Sequence, residues 1–228
     1  LFTLIRNLQQ RRHFILSASI GLVVGLCVPT AFAQATAKAG AVRPPVILVL
    51  GDSLSAEYGL ARGTGWVALL EKQLAQDKLA ATVVNASVSG ETTSGGRSRL
   101  AALLTQHKPS HVVIELGGND ALRGLPLKNT EENLTWMTQT AQKAGAKVLL
   151  VGMQVPPNYG TDYANRFAGL FTTVAQAKKV AVVPFFLKGV ADGPDPTRLF
   201  QADRIHPRAE AHPQMLANVW PELKKLLR

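Results

Sequence analysis

Four polar stretches spread along the chain carry residues able to move a proton or hold a developing charge: Gly51-Asp52-Ser53-Leu54-Ser55, Ser89-Gly90-Glu91, Gly117-Gly118-Asn119-Asp120 and Asp203-Arg204-Ile205-His206. Hydrolysis through an acyl-enzyme needs a nucleophile, a base to take its proton, a carboxylate to orient that base, and N–H donors for the oxyanion. All are available here. Ser53 is the candidate nucleophile, His206 the base, and Asp203, three residues earlier, the carboxylate that would hold its tautomer. Gly90 can bring a backbone N–H close with no side chain in the way. Asn119 offers an amide N–H, and with the Ser53 backbone N–H these make a three-donor oxyanion hole. Each residue also has a plainer reading: Ser53, Gly90 and Asn119 as turn residues, His206 as a solvated loop histidine, Asp203 as the cap of the last helix.

These stretches must be brought together by the elements between them. Five short apolar, β-branched runs, Val46 to Leu50, Thr82 to Asn85, His111 to Leu116, Lys147 to Gly152 and Val180 to Pro184, read as strands covered on both faces. Between them lie helical stripes: Trp66, Leu69, Leu70 and Leu74; Leu100, Leu103, Leu104 and His107; Leu134, Met137 and Ala141; Tyr163, Phe167, Leu170, Val174 and Ala177. Asn129 with Glu132 resembles a capping box ahead of the third stripe. A last helix carries Met215, Leu216, Val219, Trp220 and Leu223, with Pro213 in its first turn and Pro221 expected to kink or break it. Strands alternating with helices predict a three-layer α/β/α sandwich around a five-stranded parallel sheet. Ligands bind such sheets beyond the carboxyl ends of the strands, which is where all four polar stretches fall.

Gly51-Asp52-Ser53-Leu54, Gly90, Gly117-Gly118-Asn119-Asp120 and Asp203-x-x-His206, in that order, resemble the blocks of the SGNH hydrolases, also called GDSL esterases/lipases. The longer stretches GDSLSAEYGL, VVNASVSGET, ELGGNDALRG, PPNYG and IHP resemble the bacterial periplasmic members that act as thioesterases, lysophospholipases and arylesterases. The resemblance spans Val46 to Trp220. It implies a flavodoxin-like fold and hydrolysis of esters or thioesters with no metal or organic cofactor. It also implies Ser53, His206 and Asp203 as the triad and Gly90 and Asn119 as oxyanion donors. The loop Asp120 to Leu127, with Pro156, Pro157 and Tyr159, would help line the acyl site; Leu54, Leu122 and Leu125 are further candidates for it, with core or loop packing as the other reading of all three. Two positions depart from the family pattern. Glu57 stands where a small residue is usual, predicting a more polar or crowded rim, and Arg204 stands where Gly is common, which bears on the backbone of the Asp203–His206 loop.

The composition bounds these readings. With 228 residues, 46% hydrophobic and 18% charged, 19 Gly and 13 Pro, the chain is neither collagen-like, coiled coil nor a highly charged disordered chain. Arg6, Arg11 and Arg12 precede the apolar stretch Phe14 to Val28, and Ala31-Phe32-Ala33 follows it. This order predicts a secretory signal peptide over residues 1–33, a flexible lead-in over 34–44, and one hydrolase domain over 45–228 in the periplasm or the medium. The leader takes with it the single Cys27 and leaves 22 basic against 15 acidic residues, a balance of +7. That basic excess is scattered, and aromatics do not interleave with it, so nucleic acid is not an expected partner. Transient contact with membrane lipid is, and a monomer is expected.

His107, His111 and His212 lack a paired ligand pattern, so no metal site is expected. Asp52 and Asp120 read as turn-forming acceptors, and Glu115 is a lone charge in an apolar strand without an assigned role. Two other functions fit less well. A carbohydrate O-acetylesterase would use the same apparatus, but Leu122 and Leu125 favour longer acyl chains. A non-catalytic flavodoxin-like binding protein lacks a P-loop or GxGxxG after any strand.

Overall fold

The computed structural model describes residues 44–228, so the expected leader (1–33) and all but the last residue of the lead-in (34–44) lie outside the described residues. The Val-, Ile- and Leu-rich runs form strands because branched side chains pack well on a pleated surface buried from both sides. They are β1 (Val46–Gly51), β2 (Thr82–Asn85), β3 (His111–Glu115), β4 (Lys147–Val151) and β5 (Ala181–Val183). All pair in parallel, in the order β2-β1-β3-β4-β5. Central β3 is buried along its whole length, whereas edge strand β2 leaves Thr82 and Asn85 exposed.

The stripes become α1 (Trp66–Gln76), α2 (Thr93–His107), α4 (Leu127–Lys143), α5 (Thr161–Lys178) and α6 (His212–Leu226), and a five-residue α3 (Gly118–Leu122) was not expected. Helix α1 packs on α6, while α2, α4 and α5 pack in a row, enclosing the sheet between two helical layers. Trp66, Leu70, Leu100, Leu134, Phe167, Phe171 and Phe186 are among the fully buried side chains of this core.

Two local expectations fail for physical reasons. Helix α4 starts at Leu127 behind Pro126, with no side-chain cap. Asn129 therefore lies inside the helix: Pro126, the residue before it begins, is itself extended at φ −57 and ψ 125, and helical geometry starts at the next residue, Leu127. Helix α6 runs unbroken through Pro221, with Pro213 in its first turn as expected. An interior proline costs about 3 kcal/mol, and the buried Val219 and Leu223 on either side of it offset that at about 2 kcal/mol each.

Strand order 2-1-3-4-5 places the topological switch between β1 and β3, whose successive neighbours lie on opposite sides of β1. The loops leaving β1 and β3 carry Ser53 and Asn119. The crevice thus opens where two of the candidate residues already are.

Candidate active site

After β1 the chain closes a tight turn in which the Ser55 and Ala56 N–H groups donate to the Asp52 carbonyl, and Asp52 Oδ1 accepts the Leu54 N–H at 3.0 Å. Ser53 is held inside this turn. Its Oγ lies 2.8 Å from His206 Nε2, and His206 Nδ1 lies 2.6 Å from Asp203 Oδ2. Asp203 Oδ1 accepts the backbone N–H groups of Ile205 and His206, each at 3.0 Å, so the carboxylate is fixed by its own loop and does not cap α6. Burial would raise the Asp203 carboxyl, but the His206 hydrogen bond and those two N–H donors hold it down at about 2. An ionised carboxylate only accepts, so the proton between the two sits on Nδ1 and the Nε2 lone pair faces the Ser53 hydroxyl.

Two contacts that sequence reasoning missed join the loops carrying these groups. The Tyr58 ring lies 4.3 Å from the His206 ring. Gln201 donates from Nε2 to the carbonyls of Tyr58 (2.9 Å) and Pro207 (3.2 Å), and from its N–H to the carbonyl of His206 (2.8 Å). Gln201 and Tyr58 are far apart in the chain; Tyr58 lies within the GDSLSAEYGL stretch but carried no role there, and no local pattern marks Gln201.

The two departures from the family pattern both adopt left-handed backbone: Glu57 at φ +58 and Arg204 at φ +57. This is the region that favours glycine. The Glu57 carboxylate does not crowd the rim but turns back, accepting the N–H groups of Gly63 (3.0 Å) and Gly65 (2.7 Å) at the start of α1. Arg204 is exposed, and the Asp203–His206 contact is made despite its conformation.

Asn119 is the second residue of α3 and donates from Nδ2 to Asp52 Oδ2 at 3.0 Å. Asp52 therefore does more than close a turn. A carboxylate cannot donate, so it selects the amide orientation in which Nδ2, not Oδ1, faces it, and the second Nδ2 hydrogen is left over. Burial pushes the Asp52 carboxyl up to about 6, against the pull of the Leu54 N–H and the Asn119 amide. Gly90 sits at φ +78, and a Cβ there would meet only Arg123 Nη2, at 3.6 Å. Glycine is required at this position for backbone conformation rather than for space. Among the described residues no acceptor takes the Ser53 or Gly90 backbone N–H. Arg123 Nη2 donates to the Gly90 carbonyl at 2.8 Å, linking the loops that carry Gly90 and Asn119. Asp120 accepts from Thr93 N–H (2.8 Å), Thr93 Oγ1 (2.5 Å) and Thr130 Oγ1 (3.3 Å), which joins α2, α3 and α4.

The acyl-site candidates divide. Leu54 is packed in the core at 8% exposure rather than at the mouth, because the Asp52 turn directs it inward. Leu122 and Tyr159 are exposed at 42% and 38%, Pro156 is exposed and Leu125 half-buried. Among the described residues the exposed large hydrophobic ones are Tyr58, Val88, Leu122, Tyr159 and Ile205, one in each segment following β1, β2, β3, β4 and β5. In a parallel sheet these segments all leave from the end that carries Ser53 and Asn119. Among the described residues no group of three or more His, Cys, Asp or Glu could hold a metal ion, and no helix is long and apolar enough to cross a membrane.

Residues 49–213 match the model of the GDSL-like Lipase/Acylhydrolase family. The chain is 52% identical over 181 residues to the esterase TesA of Pseudomonas aeruginosa, covering 79% of this chain and 89% of that protein. It is 42% identical over 167 residues to thioesterase 1/protease 1/lysophospholipase L1 of Escherichia coli, covering 73% and 77% of the two chains. The crystal structure of TesA superposes with a TM-score of 0.76, covering 79% of this chain and 99% of that one.

Proposed function

The chain belongs to the GDSL-like lipase/acylhydrolase family, and on that premise we propose that it is a secreted serine hydrolase cleaving acyl esters and thioesters through an acyl-enzyme on Ser53. The observation that carries this reading is the row Ser53 Oγ–His206 Nε2 at 2.8 Å and His206 Nδ1–Asp203 Oδ2 at 2.6 Å. Ser53 Oγ attacks the acyl carbonyl carbon while His206 Nε2 takes its proton, and Asp203 stabilises the imidazolium that forms. The negative oxygen accepts from the Ser53 and Gly90 N–H groups and from the free Nδ2 hydrogen of Asn119. As the C–O or C–S bond breaks, His206 returns the proton to the departing alcohol or thiol. Water then repeats the sequence on the acyl-enzyme and releases the acid.

Acyl thioesters, lysophospholipids and aryl esters are the proposed substrate class. The named activities of the relatives support the thioester and lysophospholipid members, and the exposed apolar residues on the segments that follow the strands suit a substrate with an acyl chain better than a polysaccharide acetyl group. The test is reaction with a fluorophosphonate followed by peptide mapping. Labelling of Ser53 in the folded but not the denatured chain, abolished in Ser53→Ala, is the expected result. A folded chain that does not label would leave only a binding role for the crevice.

A further inference from the structure

Glu115 ends β3, is 2% exposed, and has no part in the reaction just described. In the sheet register it stands beside Gly51, the last residue of β1. Its Oε2 accepts the Ser55 hydroxyl at 2.7 Å and the Asp52 N–H at 3.4 Å. Ser55 Oγ in turn accepts the indole N–H of Trp66 at 3.0 Å, at the start of α1. Room for this cluster exists only because Gly51 has no side chain: a Cβ there would lie 2.8 Å from Glu115 Oε2 and 2.7 Å from Ser55 Oγ. The nucleophile loop therefore rests on Glu115 from beneath. The loop also presents Asp52, whose other carboxyl oxygen sets the Asn119 amide.

Burial raises the Glu115 carboxyl well above its ordinary range, and the nearby Asp52 charge raises it further. Two adjacent buried carboxyls cannot both ionise, so one proton is shared out between unequal sites. Asp52 has two donors on its carboxylate, Leu54 N–H and Asn119 Nδ2, one on each oxygen. Glu115 also has two donors, but both fall on Oε2 and the Asp52 N–H is long at 3.4 Å, so its charged form is the less well supported of the two.

We propose that Glu115 is a positioning residue for the oxyanion hole: its carboxyl oxygen holds the Ser55 and Asp52 end of the nucleophile loop and thereby the alignment of Asn119. This rests on the hydrolase reading above, and the fluorophosphonate experiment on the wild-type chain tests that reading separately. Glu115→Gln keeps an acceptor oxygen and no charge, whereas Glu115→Leu keeps the volume and removes the acceptor. Val113→Ala, a cavity in the same buried strand, controls for lost stability alone.

With kcat and KM measured on a soluble nitrophenyl ester well below each melting temperature, Glu115→Leu should lose roughly 10- to 100-fold in kcat with KM within about threefold. That is a part of the 10²–10³ carried by one complete oxyanion donor. Glu115→Gln should stay within about threefold of wild type across the pH profile, and Val113→Ala should keep wild-type kcat. If Glu115→Leu does not fold, Ser55→Ala removes the same support from the other side and should show the same kcat loss. The proposal is overturned if a folded Glu115→Leu or Ser55→Ala keeps wild-type kcat. It is equally overturned if Glu115→Gln falls as far as Glu115→Leu, which would mean that the charge, not the hydrogen bond, is what the site needs.

Discussion

Replacing Asp52 by Asn separates what this buried carboxylate costs the fold from what it does for the site. Its carboxyl is 2% exposed and is raised from 3.8 to about 6 in the folded chain, chiefly by burial. Between those values the native state holds a proton that the unfolded chain has released. The native state is therefore at no disadvantage from this group below pH 3.8 and loses stability as pH rises to about 6. Two pH units correspond to about 3 kcal/mol. Asp52→Asn removes the ionisation and should be more stable than wild type at pH 8 by up to about 3 kcal/mol. For a domain of this size that is roughly 6–12 °C in melting temperature. The gain should close as pH falls to 4.

Activity should move the other way. An Asn side chain can donate as well as accept, so it can pair with Asn119 Oδ1 and let that amide turn over, which aims an oxygen at the developing oxyanion. A kcat loss approaching 10²–10³ is expected on a soluble nitrophenyl ester, with little change in KM. Thermal unfolding at pH 4 and 8, beside kcat at pH 8, measures both halves. A variant less stable than wild type at pH 8, or one with wild-type turnover, would refute the account of Asp52 as an ionised, acceptor-only guide for Asn119.

Other expectations follow from the same geometry. Asn119→Ala should lower kcat by about 10² to 10³ with the fold intact, as measured by kinetics beside circular dichroism. Arg204→Gly should raise stability by up to about 1 kcal/mol in denaturant titration, since φ +57 strains a side-chain-bearing residue and glycine's unfolded-state entropy cancels only part of the relief. Glu57→Ala should lose about 1–2 kcal/mol in the same titration, because it keeps the strained backbone and leaves the Gly63 and Gly65 N–H groups without their acceptor; Glu57→Gly should recover part of that loss.

Much of the architecture was legible before any coordinates. Runs such as His111–Glu115 and stripes such as Phe167–Leu170–Val174 are local patterns, and whether a segment is covered on two faces or one is written in its own periodicity. The alternation of such segments implied a parallel sheet, and a parallel sheet assigns one end to its ligands, so Ser53, Gly90, Asn119 and Asp203–His206 could be gathered at one end from order alone. An element little longer than one helical turn, such as the five-residue α3, left no periodic trace. The start of α4 and the survival of α6 through Pro221 were decided by Pro126 and by core packing rather than by the residues that suggested otherwise.

The linear order of residues thus determined the layers, the strand ends and the types of group presented there. The folded chain alone decided how those groups act on one another. Asp52 meets Asn119 across 67 positions, and Ser55 meets Glu115 across 60. Glu57 and Arg204, which read as substitutions, turned out to be backbone conformations. Periodicity reports whether a side chain faces water or core, a property of a few neighbouring residues. A hydrogen bond between distant carboxyls and amides depends on strand register and on the space left by a missing Cβ, and these exist only once the crossovers have closed.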